Sequence, residues 1–160
     1  MPLSRVDNLT RSLQDWVVSK LDAIGFSGFY VFSDSYPSSI VDPLATSVIV
    51  LSHDTSHPAE NIELGGPLSK EPITFIVDVF GADMILGRNL ASNIKQFMES
   101  GEPIPLNDYS SGVAVEIDKI SFIDSAVHNR MKFSDPKPWQ QHWNVVAFTV
   151  PLEYNQAYLT

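Results

Sequence analysis

The chain has 160 residues, 44% hydrophobic and 18% charged, a composition that excludes a disordered chain and suits one folded domain. Acids outnumber basic residues 19 to 10, and the formal charge of −9 argues against a protein that holds DNA or RNA by neutralising phosphates. Cysteine is absent, which excludes disulfides, thiolate catalysis and Cys-ligated zinc and suits a reducing compartment.

No apolar run approaches the roughly 20 residues of a membrane span, and MPLSRVDNLTRSLQDW has neither the basic start nor the unbroken apolar stretch of a signal peptide. Residues 4–24 instead space Val6, Leu9, Leu13, Trp16, Val17, Leu21 and Ile24 along one helical face, and Gly25 stands where a helix would stop. A short strand is predicted from Gly28, then a turn-rich loop. The β-branched run Thr46–Leu51 reads as a central strand. A long polar loop is expected over 53–72.

Ile73–Phe80 reads as a strand with Ile73, Phe75, Val77 and Val79 toward the core and Thr74, Ile76, Asp78 and Phe80 on a mixed, partly wet face. Asp83 is placed to cap a helix over 84–99, with the stripe Leu86, Leu90, Ile94 and Phe97, ended by Gly101. Residues 102–112 are expected to be a loop. Val113–Ile123 reads as a strand with Val113, Val115 and Ile117 inward and Glu116 and Asp118 outward. A second long loop is expected over 124–142, with Phe133, Trp139 and Trp143, and a last strand over 145–152. Together this predicts a single α+β domain over 1–160, with a mostly antiparallel sheet of about four to five strands, two helices on one face and two long loops.

The motifs for chemistry are weak. His53 and His57 are four apart with Asp54 between them, but Pro58 argues for a turn, and HExxH is absent. Asp78 invites a catalytic reading, yet no GxGxxG, GxxxxGK[ST] or GxSxG accompanies it. Glu116 and Asp118 could pair as acid and base, but strand acids two apart are usually the wet face of a sheet. Trp139 and Trp143 could stack on a sugar or base, or anchor a loop to the core or to another chain. The one local concentration of basic residues, Arg130, Lys132 and Lys137, is interrupted by Asp135. No catalytic residue, cofactor or metal is expected. The alternatives are a small enzyme or metal-binding domain using His53, His57 or Asp78, and a monomeric adaptor that binds through the Trp139–Trp143 loop.

Ile73–Ser100 resembles the strand–helix unit of the phage tail terminator (tail completion, neck) proteins. The matching residues are Val77, Asp78, Val79, Phe80, Leu90, Ala91 and Ile94. The helix ending at Leu21–Gly25, the loop with Phe133 and the closing run Val145–Tyr154 fit the same order. The resemblance implies a structural virion protein that forms a homo-oligomeric ring, hexameric in the expectation, at the top of the tail tube. Such a ring ends tube polymerisation, joins the tail tube protein to a head–tail connector or stopper, and lets DNA pass without holding it. Assembly would take place in the host cytoplasm and the product would sit in the virion neck, with no membrane. On this reading Glu116, Asp118 and Asp78 face the lumen, and Phe133, Trp139 and Trp143 meet a neighbouring subunit or partner.

Overall fold

The computed structural model describes residues 5–26, 29–33, 47–56, 60–61, 68–120, 124–131 and 142–155. In chain order the elements are α1 (Arg5–Ala23), β1 (Phe29–Ser33), β2 (Ser47–Ser56), β3 (Glu60–Asn61), β4 (Leu68–Phe80), α2 (Met84–Glu99), β5 (Ile104–Asp108), β6 (Val115–Ile120), β7 (Asp124–Arg130) and β8 (Trp143–Asn155). Strands β2, β4, β8 and β7 form an antiparallel run, β1 joins beside β2 in parallel, and β3 pairs with β4. Strands β5 and β6 make a separate two-stranded hairpin. The fold is α+β, as the sequence predicts.

Both helices lie on one face of the sheet. Their apolar stripes, Leu9, Leu13, Trp16, Val17 and Leu21 on α1 and Leu90, Ala91, Ile94 and Met98 on α2, bury against alternate residues of β2, β4 and β8. The core-facing positions of β4 are Ile73, Phe75, Val77 and Val79, and Phe75 stacks on its cross-strand partner Phe148 at 5.6 Å. Each such fully buried side chain contributes about 1.5–3 kcal/mol.

The helix ends follow the expected chemistry. Gly25 takes φ +89°, and the N–H groups of Gly25 and Phe26 donate to the carbonyls of Asp22 and Leu21, which closes α1 as a Schellman turn. Asp83 is extended and accepts from the Leu86 N–H at 2.8 Å, which caps α2. Ser100 and then Gly101, at φ +71°, end it.

Several expectations are corrected. Residues 53–72 are not one loop: β2 continues to Ser56 and β4 already begins at Leu68. There, ladder pairing with β8, not an apolar alternation, holds the polar residues extended. Residues 124–130 are β7, paired with β8, and 104–108 within the expected loop are β5. Strand β6 is shorter than 113–123, and Val113 and Val115 are 68% and 52% exposed. Strand β6 buries Ile120, which shares the parity of Glu116 and Asp118, while Ile117 is half-buried against the core as expected; the register irregularity that leaves Ile117 out of the pairing lets both face inward. Ile24, at 50% exposure, lies outside the α1 stripe. Strand β8 runs from Trp143 to Asn155, longer than the expected 145–152. Phe133, Trp139 and His57 lie outside the described residues.

Candidate functional site

Where β4 hands over to α2, three backbone segments converge. Gly81 and Gly87 approach so closely that a Cβ on Gly81 would lie 2.4 Å from the Gly87 Cα. Glycine is required at Gly81 and favoured at Gly87 for the first turn of α2 to sit against the end of β4. The carbonyl of His142 accepts from the Gly81 N–H at 3.4 Å and from Asn144 Nδ2 at 3.0 Å. His142 itself adopts φ +59°, a left-handed conformation uncommon outside glycine that His tolerates better than most residues. Ser47 Oγ accepts from the Ala82 N–H at 3.0 Å and ties the junction to β2.

This convergence forms a cleft of about 130 Å³ lined by Met84, Arg88, His128, Arg130, His142 and Asn144. Asn144, 3% exposed, orders it. Its Nδ2 faces the His142 carbonyl, which can only accept, so its Oδ1 faces His128 Nε2 at 3.0 Å. His128 therefore carries its proton on Nε2 and donates to Asn144. Two guanidiniums, from Arg88 and Arg130, stand at the cleft, and neither has a carboxylate partner among the described residues. Elsewhere Lys20 pairs with Glu102, Lys95 with Glu99 and Lys119 with Glu116. Beside the cleft, Met84 and Ile85 are exposed, Ile85 by 60%.

A second built surface is the β5–β6 hairpin. Its root is buried through Ile104, Leu106 and Ile120. Its outer part is sewn to a polar face of α1. Asn8 Oδ1 accepts from the Tyr109 N–H at 3.2 Å and Asn8 Nδ2 donates to Asp108 Oδ1 at 3.3 Å. Ser12 Oγ accepts from the Asn107 N–H at 2.9 Å, and the Tyr109 hydroxyl donates to Asp15 at 2.6 Å. The Arg11 guanidinium lies 4.3 Å from the centre of the Tyr109 ring. Burial, and then the bond to Asp15, push the Tyr109 phenol above its ordinary value of 10.0. The Ser110 hydroxyl and N–H hold Asp108 below the ordinary carboxylate value. Beyond this seam the tip, with Val113 and Val115, projects into solvent.

The predicted site residues separate. Asp78 is not on a wet face: it is 4% exposed, and its Oδ1 accepts from Trp143 Nε1 at 2.8 Å. Trp143 lies in β8 rather than a loop and stacks on Phe80 at 6.1 Å. Asp78, which we expected to face a lumen, thus has no open approach in the single chain. Glu116 and Asp118 are exposed as expected, but on the hairpin and not on the main sheet, so the argument that set them on the sheet's open face does not hold. Asp118 Oδ1 accepts from the Lys119 N–H at 2.7 Å. His53 lies in β2, not in a turn.

The cleft was missed. Arg130 stood out in the sequence, but its companions Arg88, His128 and His142 come from α2, β7 and the approach to β8. Among the described residues no three metal-ligating side chains cluster, and no helix is long and apolar enough to cross a membrane. No protein-family model matches the chain, and no curated protein matches it.

Proposed function

We propose that this chain is a non-catalytic structural subunit of a tailed-phage neck, similar to the tail terminators. It forms a ring, most simply hexameric, at the top of the tail tube, ends tube polymerisation and joins the tube to a head–tail connector or stopper. The completed virion neck is its location, and DNA passes through the ring.

The resemblance supports this reading through residues that now have a common role. Val77 and Val79 on β4 and Leu90, Ala91 and Ile94 on α2 are buried in one cluster, the contact between strand and helix on which the pattern depends. The observation that carries assembly is the hairpin. A root built into the core holds two large apolar residues, Val113 and Val115, out in water. Two exposed valines on an arm held this firmly suit a subunit contact. The excess of acids suits a conduit, because acidic walls gain no counterion-release affinity for DNA.

Native mass spectrometry and negative-stain microscopy of the purified chain test the proposal. A closed ring is expected, with no salt-sensitive DNA retention in a shift assay. A chain that remains monomeric at high concentration, alone and with tail tube protein, overturns it.

A further inference from the structure

We propose that the tip of the β5–β6 hairpin of one copy seats in the Arg88–Arg130 cleft of the next copy, an inference that rests on the self-assembly proposed above.

The two surfaces match in kind. The hairpin offers exposed Val113 and Val115 with the exposed carboxylate Glu116 next to them in β6, and exposed Asp118 nearer the root, opposite Leu106. The cleft offers exposed Met84 beside two guanidiniums that have no carboxylate partner among the described residues, and exposed Ile85 lies next to Met84 just outside it. Arginine and methionine are enriched in interface cores, and a guanidinium can take a carboxylate through two parallel N–H donors. The cleft is rigid on one side, because buried Asn144 locks His128 and the His142 carbonyl. Its volume of about 130 Å³ is several times the roughly 30 Å³ share of one water, so it has room for a side chain. Among the described residues Glu116 has one weak partner, Lys119 at 3.7 Å, with both side chains about half exposed or more. That pair costs little to give up.

Placement makes the contact one between copies. Strand β7 starts at Asp124, just after the hairpin root at Ile120, and ends at Arg130 in the cleft. Root and cleft are therefore at opposite ends of one strand, about 20 Å apart at 3.3 Å per residue. In its own chain Val113 at the tip stays 68% exposed. A knob at one end and a socket at the other give a head-to-tail interface, which closes into a ring when the rotation between copies permits.

The absence of native cysteine gives a clean background for the test. A Val113→Cys, Ile85→Cys chain is treated with a short bismaleimide at assembly concentration. A ladder of linked subunits that stops at the ring size is expected. Arg88→Glu with Arg130→Glu should abolish the ladder and weaken association at least about thirtyfold, the least expected when one side of a seated charge pair is lost. Glu116→Arg with Asp118→Arg should do the same, and combining all four changes should restore both. All four positions are exposed, so the fold, followed by circular dichroism, should persist. A ring that forms without the ladder, or that tolerates either charge reversal, overturns the arm-in-cleft contact and leaves the ring proposal standing. A wild-type monomer removes both.

Discussion

Gly87→Ala should destabilise this protein, although glycine to alanine inside an exposed helix ordinarily stabilises by about 1 kcal/mol. A methyl group at Gly87 would lie 3.0 Å from Gly81 Cα, 3.1 Å from the His142 carbonyl oxygen and 3.2 Å from Gly81 N. Carbon–carbon contacts are most favourable at roughly 3.5–4.0 Å, so the gap falls short by about half an ångström. All three neighbours are backbone atoms, and no rotamer change can relieve them. The first turn of α2 must therefore move off β4, stretching the Gly81–His142 hydrogen bond and shifting Met84 and Arg88. Overpacking of this kind costs about 1–3 kcal/mol, which outweighs the helix-propensity gain and leaves a net loss of about 1 kcal/mol. For a chain of this size that lowers Tm by about 2–4 °C. Gly81→Ala, with backbone atoms at 2.4–2.5 Å, should cost more. Urea unfolding followed by circular dichroism measures both, with exposed Asn89→Ala in the same helix as the propensity control. If Gly87→Ala is as stable as the wild type, or Gly81→Ala is the milder change, the close approach of the two backbones does not govern this junction.

Asn8→Ala should cost about 1–3 kcal/mol, because it strands the Tyr109 N–H at a buried site and removes the donor to Asp108; a loss below about 0.5 kcal/mol in urea would put it with ordinary surface changes and deny the seam its role. Tyr109 should ionise late. Its folded pKa is raised, so its stabilising contribution is complete below the ordinary value of 10.0 and is lost as pH rises through the folded value. A tyrosinate absorbance titration of wild type against Tyr109→Phe should show the missing phenol as a step above the ordinary range, and a difference spectrum that completes within that range would count against the buried bond to Asp15.

Much of the fold is legible because local chemistry and global packing agree. The α2 boundaries follow from Asp83 and Gly101, and the α1 stop follows from Gly25; each signal lies within a turn of the end it sets. The core parity of β4 is plain because one face is wholly apolar. Strand β5 was hidden for the opposite reason. Its sequence, IPLND, is half polar, and the groups that satisfy it are Asn8 and Ser12, about a hundred residues away. Their own signal is present: Asn8, Ser12 and Asp15 recur at helical spacing as a polar stripe beside the apolar one, but nothing in that stripe names its partner strand. Asp78 was misplaced because nothing local reveals that Trp143, from a strand reached much later in the chain, will cover it with an indole N–H. The cleft needs α2, β7 and the turn before β8 together, so no sequence window contains it.

Charge adds an argument about geometry. Copies of a chain with formal charge −9 repel one another over most of their surface. At physiological salt the screening length is about 8 Å, so the sum of distant charges fades while groups brought into contact still act on each other. Under those conditions two acidic copies can approach only where opposite charges meet locally. The cleft with Arg88 and Arg130 is such a place, and an acidic segment with apolar neighbours is the fitting occupant. Repulsion elsewhere then disfavours other registers, and like charges selecting against wrong partners is a common source of specificity. In the contact we propose the arm and the cleft are different surfaces of one chain, so each captured copy would present a fresh cleft and growth would stop only by closure. The ring we propose therefore depends on the rotation between copies, since the same head-to-tail contact without closure gives an open filament.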